Sequence, residues 1–245
     1  MSGSCFAEYL SHYVALTEVE RAALARLEEN KRDMKRGDIL QREGDPADEI
    51  YVVNHGRLMS YVHVDDGSRQ ILRLYYAGDS VGTGNAIYST ACETIVATED
   101  AIICPFEKDA LKTLLGEHPR VAALLFALNQ AERVALTDRL ASIGRTSAKS
   151  RVAAVLLDIL QRLRIMTGDA IESFDPRLTQ EELGDATGLT SVHVNRMLRE
   201  LTEEKVISRK GSMVRVIDEA RMREVANYID RFADLDFSWL PDARP

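Results

Sequence analysis

Hydrophobic and polar positions change rhythm twice along the chain. Residues 5–30 mix apolar and charged positions, with Leu16, Val19, Ala23 and Leu27 on one helical face, which predicts short lead-in helices. From Gly37 the pattern shortens to β-type runs separated by turn residues: DILQ, GDPAD, EIYVVNHGRLMSYVHV, DDG and SRQILRLYYAGDSVG. This alternation predicts an antiparallel β-roll, with Asp66-Gly67 as a hairpin turn, Gly56 and Gly78 as further turns, and Thr94 to Phe106 as the closing apolar run.

The second change is to helical spacing. Lys108 to Leu115 reads as a short helix, and Pro119, tolerated in a first turn, opens a longer one reaching about Ile143. Within it Val121, Leu124, Leu128, Ala131 and Ala135 alternate spacings of three and four, the seam of a coiled coil. A second stripe, Leu125, Leu136, Leu140 and Ile143, lies to one side. Two apolar stripes need two partners, and the simplest pair is the β-roll of the same chain and the same helix of a second chain. Packing entirely within one chain is the alternative.

GRTSAKS, residues 144–150, is small and polar and predicts a hinge; an apolar helix from Arg151 to about Met166 follows. Then comes LTQEELGDATGLTSVHVNRMLREL, residues 178–201. Thr179 and Glu182 form a capping box that starts one helix, Gly184 leaves room for a crossing helix, and Gly188 suits the positive φ that ends it. Thr190 or Ser191 caps a second helix whose buried face is Val194, Met197 or Leu198, and Leu201. Ser191, Val192, His193 and Arg196 are left outside. Short side chains and an arginine near the start of such a helix suit a DNA major groove, where arginine pairs with guanine O6 and N7. These four are the candidate base contacts, and Thr179, Thr190, Arg199 and Lys210 the candidate phosphate contacts. Lys210 lies in the basic turn of a hairpin wing, Val206 to Ile217. An ordinary helical hairpin with a solvated outer face is the plain alternative. From about Phe232 the sequence has no interpretable pattern.

Charge qualifies this picture. The net charge of −8 opposes nucleic-acid binding until it is divided. Residues 1–144 carry 15 basic and 22 acidic side chains, whereas residues 145–216 carry 12 and 10. The helix-turn-helix thus sits in the one segment that is not acidic, and the acidic remainder suppresses indiscriminate binding. Hydrophobic residues at 45% indicate a folded chain long enough for two cores. The longest apolar run, Val121 to Leu128, is too short to span a bilayer and no basic leader precedes an apolar core, so a cytoplasmic location is expected. Cys5, Cys92 and Cys104 have no metal-ligand spacing and fit reduced thiols.

Enzyme classes find little support. β-rolls resemble cupin barrels that hold catalytic metals, but the five histidines include no His-x-His or His-x-x-x-His pair. Gly82-x-Gly84 lacks the third glycine of a dinucleotide site, and neither GxxxxGK nor GxSxG occurs. A ligand-binding or protein-interaction module is the other rival; steep loss of affinity with salt would mark a DNA binder instead.

The order β-roll, long helix, hinge and winged helix-turn-helix, with GDPADEIYVVNHGRL, YYAGDSVG and residues 178–201, resembles bacterial transcription regulators of the CRP/FNR family over about residues 15–225. The resemblance implies an α+β fold with an N-terminal, cyclic-nucleotide-binding-like β-roll (1–117), a long dimerisation helix (118–144), a winged helix-turn-helix (145–225) and a tail (226–245). It implies a homodimer acting on an inverted repeat of double-stranded DNA, RNA polymerase as a further partner, and an effector pocket at Gly82, Thr83, Glu93 and Thr94. That pocket departs from members that bind cyclic AMP, which place a glutamate where Thr83 stands and an arginine-serine pair where Glu93-Thr94 stands. Three cysteines fall short of the four that hold an iron-sulfur cluster in oxygen-sensing members. Neither cofactor is expected.

Overall fold

The computed structural model describes residues 3–64 and 67–243. These group into two compact units, the first comprising residues up to 62, 72–130 and 236 onward, the second residues 63–71 and 131–235.

The first unit opens with α1 (Cys5–Ser11) and α2 (Glu18–Arg26). The predicted apolar face of α2 is rotated: Val19 is exposed and Glu20 is buried. Glu20 accepts from the Thr17 backbone N–H in a capping box, and its carboxylate meets the Arg120 guanidinium at 2.9 Å. A fully partnered carboxylate outcompetes a lone valine for the inside position. The strands are β1 (Arg32–Met34), β2 (Ile39–Gln41), β3 (Glu49–His55), β4 (Leu58–His63), β5 (Arg69–Tyr75), β6 (Ser80–Val81), β7 (Thr94–Ala97) and β8 (Ala101–Glu107). They form two antiparallel four-stranded sheets, ordered β1-β8-β3-β6 and β2-β7-β4-β5. The single run expected over Thr94 to Phe106 divides into β7 and β8, because Thr98 to Asp100 form a polar turn with the Thr98 N–H and hydroxyl donating to Arg57 O. Met34, Tyr51, Val53, Leu58, Ile95 and Ile103 are among the buried residues of the roll. Of the Asp66-Gly67 turn, Asp66 lies outside the described residues; Gly67 has φ +81°.

Helix α3 (Lys108–Glu117) precedes α4 (Pro119–Arg145), as expected. The stripe assigned to the dimer seam, however, is buried inside the single chain. Val121 and Leu124 are 0% and 1% exposed, Leu128 and Ala131 are buried, and Ala135 is half-buried. Side chains with no accessible surface cannot meet a second chain. The outward stripe is instead Phe126, Leu136 and Leu140, the last 73% exposed. Periodicity gave two stripes, and the one expected to meet a second chain is the one this chain buries.

The second unit is built on α5 (Ala148–Thr167), N-capped by Ser147, so the expected hinge contracts to Thr146-Ser147. Val152, Leu156, Leu157, Ile159 and Leu160 are buried on it, and α6 (Gln180–Thr187), α7 (Ser191–Glu203) and α8 (Glu219–Ala226) pack around it. The wing is three-stranded: β10 (Ile207–Lys210) and β11 (Met213–Val216) are joined by β9 (Ser173–Phe174). Among the described residues no helix is long and apolar enough to cross a membrane.

Candidate nucleic-acid interface

The capping box that opens α6 is complete: Glu182 N–H donates to the Thr179 hydroxyl at 3.1 Å, and Thr179 N–H donates to the Glu182 carboxylate at 2.7 Å. At the other end Gly188 takes φ +65° and the Leu189 N–H returns to Gly184 O at 3.0 Å. The crossing is so tight that a Cβ on Gly184 would lie 2.4 Å from Leu189 O. This turn fixes the angle between α6 and α7.

Sequence patterns gave no sign of what secures the last carbonyls of α6. Gln70 donates to Asp185 O at 2.7 Å, Arg139 to Ala186 O at 2.8 Å and Arg151 to Thr187 O at 2.6 Å. Arg69 adds a salt bridge to the Asp185 carboxylate at 2.8 Å. Burial raises the Asp185 carboxyl, and Arg69 pulls it back. Guanidinium groups at a helix C-terminus meet both the orphan carbonyls and the negative end of the dipole. Lys149 ties α5 to the end of α7 through Glu204, at 2.5 Å.

With Val194, Met197, Leu198 and Leu201 buried, α7 turns Ser191, Val192, His193, Asn195, Arg196 and Arg199 to solvent. Val192 is 75% exposed. All four candidate base contacts are therefore brought together on one open face. Asn195 belongs to that face and was missed, although its spacing from Val192 and Arg199 is helical; Gln180 on α6 donates to it at 3.2 Å. Arg196 makes only a loose contact with Glu200, at 4.0 Å. The Thr179 and Thr190 hydroxyls accept from Glu182 N–H and His193 N–H as helix caps, and Thr190 also bonds His193 Nδ1 at 3.1 Å. Capping uses a hydroxyl lone pair, so the Thr179 hydrogen remains available to a phosphate. Arg199 and Lys210 are exposed.

The four expected effector residues converge only in part. Gln41 links Glu93 to Asn85, its amide donating to Glu93 O at 3.3 Å and accepting from the Asn85 side chain at 2.9 Å, and the Asn85 backbone N–H donates to Gly82 O at 2.9 Å. The Tyr75 hydroxyl donates to the Glu93 carboxylate at 3.2 Å. Thr83 is exposed, while Thr94 is buried and accepts from Glu43 N–H at 3.1 Å.

A closed helical core presenting one amphipathic helix beside a β-wing defines a DNA-binding regulator. Residues 31–118 match the cyclic nucleotide-binding domain family, and residues 150–225 match the Crp-like helix-turn-helix domain family. The chain is 30% identical over 230 residues to a probable transcriptional regulator, flp, of Lacticaseibacillus casei, covering 92% of this chain and 100% of that one. It is 26% identical to the fumarate and nitrate reduction regulatory protein of Vibrio cholerae, covering 86% and 84%. FixK2 of Bradyrhizobium japonicum shares the fold, with TM-score 0.73, 23% identity and coverage of 82% and 98%. The chain belongs to the CRP/FNR family of transcription regulators.

The tight crossing at Gly184 generates a prediction. Gly184→Ala should destabilise the second unit by about 1–3 kcal/mol through overpacking against Leu189 O. Gly116→Ala, in α3 with nothing within 4 Å of its added Cβ, serves as the control and should be stabilising by about 0.5–1 kcal/mol. Thermal unfolding of both variants measures the difference.

Proposed function

We propose that the chain acts as a homodimer on an inverted-repeat operator, inserting α7 of each protomer into a major groove. The observation that carries this reading is the open face of α7, a run of short side chains ending in Arg196 and Arg199 on a helix whose other face is wholly buried. Two such helices related by a two-fold axis and about 34 Å apart read half-sites one helical turn apart. Arg196 reads a guanine, Val192 meets a thymine methyl, and Asn195 supplies the amide that suits adenine N6 and N7. Thr179, Thr190, Arg199 and Lys210 face phosphates, and RNA polymerase is the further partner. Loss of the Arg196 side chain should cost about 1–3 kcal/mol and relax preference at one base of each half-site, whereas Lys210→Ala should weaken all sequences alike and lower the salt slope by about 1. Selection from random DNA decides; an unchanged preferred sequence for Arg196→Ala removes it as the reader. A rival protein-interaction role is separated by the salt slope itself, which only counterion release makes steep.

The dimer is proposed to form along Phe126, Leu136 and Leu140, which repeat at heptad-compatible positions on the outward side of α4. Leu140→Glu should yield folded monomers at micromolar concentration in sedimentation, with an unfolding midpoint that no longer depends on protein concentration. Leu128→Glu should instead cost about 3–4 kcal/mol of folding stability by burying a charge. Dimers that survive Leu140→Glu would remove this face.

We further propose that cyclic AMP is not the effector. Glu93, at the position matched to the family's phosphate-binding arginine, already accepts from Tyr75, and the Gln41 amide joins its backbone to Asn85. A second negative charge about 4 Å away is repelled by about 4 kcal/mol at an effective dielectric near 20, which takes micromolar affinity to millimolar. No iron-sulfur cluster is proposed, since the chain has three cysteines. Calorimetry with millimolar cyclic AMP should show no saturable heat; saturable binding that sharpens DNA affinity would overturn this assignment.

A further inference from the structure

The second unit carries a half-open cleft of about 370 Å³ where α4 meets α5. Alanines from α4, α5, α6 and α8 leave room between the helices, and Ile143, Val155, Ile229 and Phe232 supply the larger apolar surfaces. Charged side chains also line it, Arg139, Arg145, Arg151 and Arg231 against Asp138 and Asp158. Positive charge is in excess, and the partners of each group show where that excess lies.

Arg231 donates to the Asp138 carboxylate at 2.5 and 3.1 Å. The Tyr228 hydroxyl donates to Asp158, which also faces Arg139, and Arg139 gives Nη2 to Ile71 O at 3.0 Å and to Ala186 O at 2.8 Å. Both carboxylates are thus offset by a cation. The other two arginines keep donors in hand. Arg145 is exposed and makes no hydrogen bond or ion pair among the described residues. Arg151 spends Nη1 on Thr187 O at 2.6 Å and leaves Nε buried without a partner, although a guanidinium has five N–H groups to give. Helical spacing separates these open arginines from the carboxylates. Asp138 and Arg145 lie seven residues apart on one face of α4, and Arg151 and Asp158 seven apart on one face of α5, so each carboxylate stands about 10.5 Å along its helix from the arginine. That exceeds the roughly 8–10 Å over which salt screens exposed charges. Arg145 and Arg151 therefore make a cationic end beside the Thr146-Ser147 bend, and the rest of the cleft is apolar and balanced in charge.

We propose that this cleft binds a small amphipathic monoanion, an apolar chain or ring ending in one carboxylate, with the carboxylate held by Arg145 and Arg151 and the body lying along Ile143, Val155 and Phe232. Guanidinium groups pair with carboxylates through charge-assisted hydrogen bonds, and an apolar surface with a few placed polar groups is the usual construction of a small-molecule site. A neutral guest leaves the arginine donors unused, and a cationic one meets like charge. An anion without an apolar body gains only an exposed ion pair, which is worth little in water. On α4, Asp138, Ser142 and Arg145 occupy the face opposite Leu140 at 3.6 residues per turn, so the outward stripe and the cleft do not compete. Arg151 also holds the end of α6, so the guest shares a residue with the support of the helix-turn-helix. The site rests on neither the operator nor the dimer proposed above.

The test is calorimetric titration of the full chain at pH 7.5 with octanoate, 1-octanol, octylamine and acetate, which vary the head on one body and then remove the body. Octanoate should bind saturably in the submillimolar range, and its affinity should fall as salt is added. Octanol should bind about tenfold more weakly, because hydrogen bonds to a charged group are lost. Octylamine, protonated at this pH, should bind more weakly still, and acetate should not saturate. Arg145→Gln, at an exposed side chain with no partner to lose, should bring octanoate to the octanol level and leave octanol unchanged. Ala154→Phe, which fills the cleft without touching either arginine, should abolish binding of both. Circular dichroism checks that each variant is folded, and chemical-shift changes at the Ile143 and Ile229 methyls of the unsubstituted chain locate octanoate independently of any variant. Absence of saturation by octanoate, equal affinity for octanoate and octanol, unchanged octanoate binding in Arg145→Gln or in folded Ala154→Phe, or shifts confined to other methyls would each overturn the proposal.

Discussion

The arrangement of the DNA-binding unit depends on how the C-terminus of α6 is satisfied. A helix that ends at a three-residue turn beneath another helix exposes its last carbonyls where water has little access, and an unpaired carbonyl there costs about 1–3 kcal/mol. Gln70, Arg139 and Arg151 each take one of three successive carbonyls, Asp185, Ala186 and Thr187. With those groups tied down, Gly184 and Leu189 can approach closely enough to set the course of α7. The side chains on the open face of α7 inherit their position from that turn.

The same arginines serve electrostatics. The chain is acidic overall, and its basic side chains are not spread as a uniform coat. Several are absorbed internally, Arg139 and Arg151 at α6, Arg164 at Glu219 and Arg231 at Asp138. Arg196, Arg199 and Lys210 remain directed outward near α7 and the wing. A few accessible cations on an acidic body favour a defined site over general attraction to a polyanion.

In the β-roll, polar side chains that could meet a ligand meet each other. Gln41 and Asn85 are both buried and bonded together, and Asn85 also donates to Glu49 O at 2.8 Å. Tyr75 reaches Glu93. Satisfied polar networks of this kind rigidify a core, since opening any member would leave a buried group unpaired.

What the sequence determined was whatever is satisfied within a turn or two of chain. The capping boxes at Thr17-Glu20 and Thr179-Glu182, the positive φ of Gly188, the buried face of α7 and the wing hairpin all follow from neighbours a few residues apart, where spacing and chemistry are read directly. Tertiary structure decided the choices among distant partners. Periodicity marked two stripes on α4 but could not say which meets the protein's own interior, because both are apolar and only three-dimensional packing distinguishes them. Glu20 displaced Val19 through an arginine one hundred residues away. β9, two residues long, carries too little pattern to be seen before β11 is beside it. The carbonyl clamp on α6 draws on residues 36 to 115 positions distant, and no local rule records a hydrogen bond whose partner only folding brings near.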